Sequence, residues 1–215
     1  MEYDLASVDY ILETTRSVRK RLDLTRPVDK DVVMECLDIA LQAPTGGNAQ
    51  GWKWLIVTDA EKKSKIGEYY RDSFRSYARG DRIPSRSILD SNQQKKIYDS
   101  ASYLADHMGE APMMIFACIH GRTTNHQHAA GLYGSIIPAA WSLMLALRAR
   151  GIGAAWTTLH LAYEKECNKI LEIPDNVTTA VMLPVAHFTG ETFKKAKRLP
   201  AGDLTYWNTW GSKKS

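Results

Sequence analysis

Arg16, Ser17 and Arg19 stand together in the run Thr-Thr-Arg-Ser-Val-Arg-Lys-Arg at positions 14–21, and two further cations, Lys197 and Arg198, stand near the other end of the chain. Guanidinium forks and a hydroxyl are the groups that hold a phosphate monoester, an anion of about two charges with three acceptor oxygens. The two clusters therefore make a candidate split phosphate clamp, to be weighed against a solvated basic helix end. A second candidate is the turn Pro44-Thr45-Gly46-Gly47-Asn48-Ala49-Gln50-Gly51, where glycines expose backbone amides beside the side-chain amides of Asn48 and Gln50. The third is the hydroxyl pair Thr157-Thr158, which follows Trp156 at a predicted strand end. Together these groups suit a flat polar cofactor with a phosphate tail.

Other chemistries lack their local geometry. Gly46 to Gly51 has the glycine spacing of a nucleotide-triphosphate loop, but Trp52 stands where that loop needs Lys, and a strand follows where it needs a helix. Gly151-Ile-Gly153 begins like a dinucleotide fingerprint, yet it follows a helix, and Trp156 occupies the third glycine position. His126-Gln-His128 has no carboxylate or cysteine at a supporting spacing, so no metal is expected. Ser135 lacks a nucleophile elbow, and none of Cys36, Cys118 and Cys167 has a readable activating setting. The odd, scattered cysteines and an acidic N-terminus without an export pattern lead us to expect a cytoplasmic protein. The formal charge of +4, from 28 cations against 24 anions, is too small an excess to suggest nucleic-acid binding.

The elements that must position these groups are legible in outline. At 215 residues the chain is expected to form one domain, 1–215. Leu5, Val8, Ile11 and Leu12 fall at helical spacing and deliver the chain to a displayed arginine cluster. Asp29 is a plausible N-cap for a helix that ends before Pro44. Trp52–Thr58, Met113–Ile119, Gly153–Leu159 and Thr179–His187 read as strands, the last with Pro184 at an edge or bulge, and Tyr163–Leu171 reads as a short helix. Residues 61–110 read as helices plus a mobile lid, with Gly80-Asp81 and Pro84 marking irregular backbone. Ala129 to Leu147 is uncharged, but its small residues and Pro138 favour a buried central helix over a membrane span. The tail at 200–215, with Trp207 and Trp210, is too apolar to float free.

Four segments, in order, resemble the FMN-dependent nitroreductase family: Arg16-Ser17-x-Arg19, the run from Ala43 to Trp52, the Gly151-Ile-Gly153 turn into Trp156-Thr157-Thr158, and Lys197-Arg198-Leu199-Pro200. The resemblance covers residues 8–210 and implies an α+β fold, a central, mostly antiparallel sheet flanked by helices, in an intertwined homodimer with FMN at its interface. It implies that Arg16, Ser17 and Arg198 hold the phosphate and ribityl end with Lys197 in support, that Arg19 reaches the pyrimidine edge, that Thr157 and Thr158 approach the N5 region, and that Trp156 is a further cofactor-binding residue. It also implies that Pro44, Thr45, Gly46 and Asn48 come from the other subunit, that the long apolar helix packs on its two-fold mate, and that the tail wraps the partner. The implied reaction is ping-pong transfer of hydride from NAD(P)H, through FMN, to a nitroaromatic or quinone-like small molecule. Dehalogenase-like and flavin-consuming chemistry on the same scaffold, or a flavin sensor or carrier without turnover, are the alternatives. The sequence departs from many relatives at Thr15 in place of Arg, at Gly51 in place of Pro, and at Leu183-Pro184-Val185 in place of Gly-Tyr-Pro.

Overall fold

The computed structural model describes residues 3–79 and 90–213; the irregular backbone expected at Gly80-Asp81 and Pro84 lies outside them. Helix α1 (Leu5–Thr14) starts on Asp4, whose carboxylate accepts from the Ser7 amide and hydroxyl. At its end the Thr14 and Thr15 hydroxyls donate back to the carbonyls of Tyr10 and Ile11, and extended backbone at Thr15 releases the chain toward Arg16. Helix α2 (Lys30–Ala40) starts on Asp29 as the sequence predicts, and turns Val33, Cys36, Leu37 and Ala40 inward.

Strands β1 (Trp52–Val57), β2 (Met113–His120), β3 (Ile152–Ala154) and β4 (Val177–His187) form one antiparallel sheet in the order β1-β2-β4-β3. The continuous apolar runs of β2 and β4 reflect cores on both faces of the sheet. Ile115, Ala117, Ile119, Val181, Leu183 and Val185 enter one core, and the alternate residues Met114, Phe116, Cys118, Met182 and Ala186 enter the other. The first core is closed by α2 and by α5 (His126–Ala149), whose inner face carries Ile136, Ala139, Ala140, Leu143 and Leu147. By length and composition α5 could cross a membrane, but here that inner face lies on the sheet. The second core is closed by α3 (Ala60–Arg79), α4 (Ser91–His107) and α6 (Glu164–Leu171). Ile66, Tyr70 and Phe74 of α3 and Leu104 and Ala105 of α4 are buried there, so the inner faces of the 61–110 segment are core surfaces.

Two local expectations change. The strand predicted over 153–159 keeps its ladder only to Ala154, although Thr157 still bridges Met182 in the same register. Opposite the gap stands Pro184, whose carbonyl accepts the Ala155 amide at 3.3 Å but which has no N–H to return. Beyond Thr158 the chain tightens into a 3-10 turn, Leu159–Tyr163, that leads into α6. Pro184 itself lies in an interior strand rather than at an edge, and the bulge nearby is at Ala180 of the same strand, left over between the Ala117–Val181 and Cys118–Thr179 pairs.

Candidate functional site

The segment after α1 runs along β3 and is stitched to it. Val18 donates its amide to the Ala154 carbonyl at 2.9 Å, and the Ser17 hydroxyl accepts the Trp156 amide at 2.9 Å. Further on, Leu22 bridges Phe188 and the Asp23 amide donates to His187, so the same segment also borders the end of β4. Gly153 makes this approach possible, because a Cβ there would lie 3.2 Å from the Val18 Cβ and from the Leu22 Cδ2. The arginine cluster and the Trp156-Thr158 segment thus share one site.

Arg198 joins them from the far end of the chain. Burial lowers the Arg16 pKa, and the positive charge of Arg198 lowers it further, which two neighbouring cations require. The Arg16 Nε is buried without a hydrogen-bond partner. Among the described residues no carboxylate lies within ion-pair distance of Arg16, Arg19, Lys197 or Arg198. Cations crowded together with an orphaned donor are costly unless an anion completes them. Arg198 donates to the Lys197 carbonyl at 3.0 Å, and the Lys197 side chain is exposed.

Arg19 occupies different surroundings. It is half-buried beside Tyr70 of α3, and desolvation lowers its pKa. Burial pushes the Tyr70 phenol up to about 12, so the phenol stays neutral at ordinary pH and leaves the Arg19 charge uncancelled.

The hydroxyl pair divides. Thr157 is buried, and both its hydroxyl, at 2.6 Å, and its amide donate to the Met182 carbonyl, while its own carbonyl accepts the Met182 amide. Thr158 is exposed, and its hydroxyl has no hydrogen bond among the described residues. It is therefore the threonine available to a ligand. Trp156 is half-buried and packs on the first core. His160, which sequence reasoning did not single out, lies two residues beyond Thr158 and is only 1% exposed. Neither of its ring nitrogens has a partner, the Phe116 ring meets it edge-on at 5.6 Å, and burial drops its pKa to about 4. Its flanking leucines gave no signal beyond that of a core position.

The turn at 44–50 stands apart. Gly47, Asn48 and Gln50 have φ of 58°, 52° and 49°, left-handed backbone broken only by Ala49 at φ −69° and strained at the two residues with side chains. The Gln50 amide donates to Asn48 Oδ1 at 3.3 Å, and the Gly46 N–H reaches the Ser135 hydroxyl on α5 at 3.4 Å. Pro44, Gly46 and Asn48 are exposed and Thr45 is half-buried. Among the described residues no hydrogen bond joins this turn to Arg16, Arg19 or Arg198 in the same chain.

The sequence profile of the Nitroreductase family matches residues 12–187, which spans the arginine segment, the turn and β4. The chain belongs to the nitroreductase family. Among its relatives, an iodotyrosine deiodinase from Thermotoga neapolitana is 26% identical over 182 residues, which is 83% of this chain and 87% of that protein. Oxidized iodotyrosine deiodinase bound to FMN and 3-iodo-L-tyrosine superposes with a TM-score of 0.72 at 22% identity, covering 93% of this chain and 98% of that one. A nitroreductase with bound FMN from Desulfitobacterium hafniense superposes with a TM-score of 0.66 at 17% identity, covering 97% and 100%. At these identities the structural likeness establishes the nitroreductase-like α+β fold. Lys197-Arg198 lies beyond the matched stretch, so the nearness of the Arg198 charge to Arg16 rests on this chain's own structure.

Proposed function

We propose that this nitroreductase-family chain is an FMN-dependent oxidoreductase that accepts hydride from NAD(P)H and reduces a nitroaromatic or quinone-like molecule. The observation that carries the reading is that Arg16, whose Nε is buried without a partner and which has no carboxylate at hand, feels the charge of Arg198 and stands beside the Ser17-Trp156 hydrogen bond. These donors fit a phosphate: the orphaned Arg16 Nε and the Arg198 fork supply N–H groups, and Ser17, already accepting from Trp156, keeps its own proton to donate. When bound, FMN supplies the two-electron exchange, taking hydride from the donor and giving electrons to the acceptor in alternate half-reactions.

The chain's own residues set the conditions for that exchange. Arg19, held half-buried against a neutral Tyr70, keeps an undiminished charge for the pyrimidine edge, where negative charge accumulates on reduction. Thr158 offers a free hydroxyl on the N5 side, while Thr157 anchors its backbone to β4. The exposed turn 44–48 enters the site from a second subunit. No nucleophile or general-acid side chain is needed for this chemistry.

A second reading, reductive dehalogenation, is favoured by the likeness to iodotyrosine deiodinases in both sequence and fold. One protein preparation separates the readings. The purified protein is expected to be yellow and to release FMN on denaturation. Anaerobic NADPH should bleach it, and a nitroarene should restore the colour. A protein that NADPH fails to bleach, but that releases halide from 3-iodo-L-tyrosine after dithionite reduction, supports the dehalogenase. A colourless protein that takes up no FMN overturns both.

A further inference from the structure

We propose that Arg21 is a positioning residue for the cationic clamp: its guanidinium latches the 188–195 arm to the 16–21 segment, so that Arg198 is delivered to Arg16. The inference rests on the FMN reading above, because it assigns a way of assembling that phosphate site. Its basis is a set of contacts that the fold alone does not demand. The Arg21 Nε donates to the Thr189 carbonyl at 2.6 Å and Nη1 to the Thr192 carbonyl at 2.7 Å. The Arg21 carbonyl accepts the Thr189 amide at 2.8 Å. The Arg21 Cζ also lies 4.0 Å from the Phe193 ring centroid. A second guanidinium, that of Arg148 at the end of α5, faces the Phe193 and Phe188 rings at 4.8 Å each. Its Nε and Nη2 are buried without hydrogen-bond partners, so the rings are its company. Phe188 and Phe193 meet each other edge-on at 5.0 Å. Gly190 completes the fit, since a Cβ there would lie 2.7 Å from Arg21 Nη2 and its φ is +75°.

The arm needs such a latch. Beyond Phe193 it carries Lys194, Lys195, Lys197 and Arg198, and the ion pair of Lys195 with Glu13 is a surface contact of small value. Bringing Arg198 to Arg16 sets two cations against each other, which pushes the arm outward until an anion sits between them. Arg21 lies five residues from Arg16 on the same stitched segment, and it grips the arm through two carbonyls and a ring. The two halves of the clamp are thereby fixed to one piece of backbone. The phosphate end of the ligand feels this coupling and the flavin ring does not.

The experiment compares FMN with riboflavin, which lacks the phosphate, on apoprotein of the wild type and of Arg21→Met, Arg21→Lys and Phe193→Leu. Arg21→Met is expected to weaken FMN about tenfold while riboflavin affinity stays within about twofold. Arg21→Lys keeps the charge but spans one carbonyl, and Phe193→Leu changes no charge, so both should retain most of the FMN defect. Trypsin should cut at 194–198 faster in all three variants, and FMN should slow cutting in the wild type. Full FMN affinity in Arg21→Lys would reduce Arg21 to a mere charge and overturn the latch. So would unchanged cutting and unchanged FMN affinity in Phe193→Leu, the variant that keeps the fold even where Arg21→Met does not. Wild-type protein that binds neither FMN nor riboflavin would overturn the FMN reading itself, a result distinguishable from the others because no variant is needed to see it.

Discussion

Arg16 and Arg19 are three residues apart and have different work to do, because their surroundings differ. Arg16 faces another cation and needs an anion, whereas Arg19 faces a phenol held neutral by burial. Arg19→Ala is therefore expected to keep FMN while lowering its two-electron midpoint potential by roughly 30 mV, equivalent to about 1.4 kcal/mol. Spectroelectrochemical titration checks this, and an unchanged potential would contradict the assigned place of Arg19. His160 provides a second prediction at this scale. Its pKa falls from an ordinary 6.5 to about 4 on folding, so the unfolded chain takes up a proton that the folded chain refuses. Stability should be unaffected above pH 6.5 and decline as pH falls from 6.5 through 4, by on the order of 3 kcal/mol in full. Urea unfolding between pH 7 and 4 reads the decline, and His160→Leu should flatten it. The arginines and Ser17 could be singled out in the sequence as candidate anion ligands because residue type alone makes them so, and the structure adds the surroundings of each. The division between Thr157 and Thr158 was not legible, since it depends on which of them the Met182 carbonyl captures across the sheet.

At the scale of elements, local signals served wherever the deciding residue was nearby. Asp4 and Asp29 cap α1 and α2, and the apolar run of α5 stops at Gly151, where φ turns positive. The strand predicted over 153–159 shows where such signals end. Trp156, Thr157 and Thr158 have strand-forming side chains, but Pro184 of β4 interrupts the ladder from across the sheet. The Trp156 amide, lying between the Ala155 and Thr157 amides that donate to β4, faces the other side of the segment and meets Ser17 there. Gly153 holds the other side of the same junction. Gly153→Val would drive side-chain carbon into Val18 and Leu22, which already stand 3.2 Å from a Cβ there. We expect a loss of about 1–3 kcal/mol in urea unfolding together with weaker FMN binding. Normal stability with normal FMN affinity would mean that the 16–21 segment is not held against β3. In 61–110 the helices were foreseen, but the burial of Tyr70 and Phe74 depends on which face of α3 meets β2, and a weakly periodic, charged sequence does not announce that face.

Seen as a whole molecule, one chain carries more apolar surface than its core uses. On α5, Tyr133, Ile137 and Trp141 recur every four residues and are exposed, and α1 exposes Leu5, Val8 and Leu12. The tail, including α7 (Ala201–Leu204), closes on itself through Lys213 and the carbonyls of Gly202 and Asp203, leaving Trp210 91% exposed. Such a surface suits a second copy related by two-fold symmetry. The strained, exposed turn at 44–50, with no hydrogen bond to the arginines of its own chain among the described residues, suits a role in the partner's site. Trp141→Glu should then yield a monomer in sedimentation and lose FMN with it, although loss of FMN alone would not say which chain supplies the turn. A heterodimer does. Arg16→Glu removes the clamp, and replacement of Pro44–Asn48 by a serine run removes the turn, so each homodimer should be colourless. In a heterodimer isolated with two different tags, a turn acting across the interface meets an intact clamp at one of the two sites, and the other site carries both defects. The heterodimer should therefore regain half of the wild-type flavin content. If each turn served its own chain, both sites would carry one defect and the heterodimer would remain colourless.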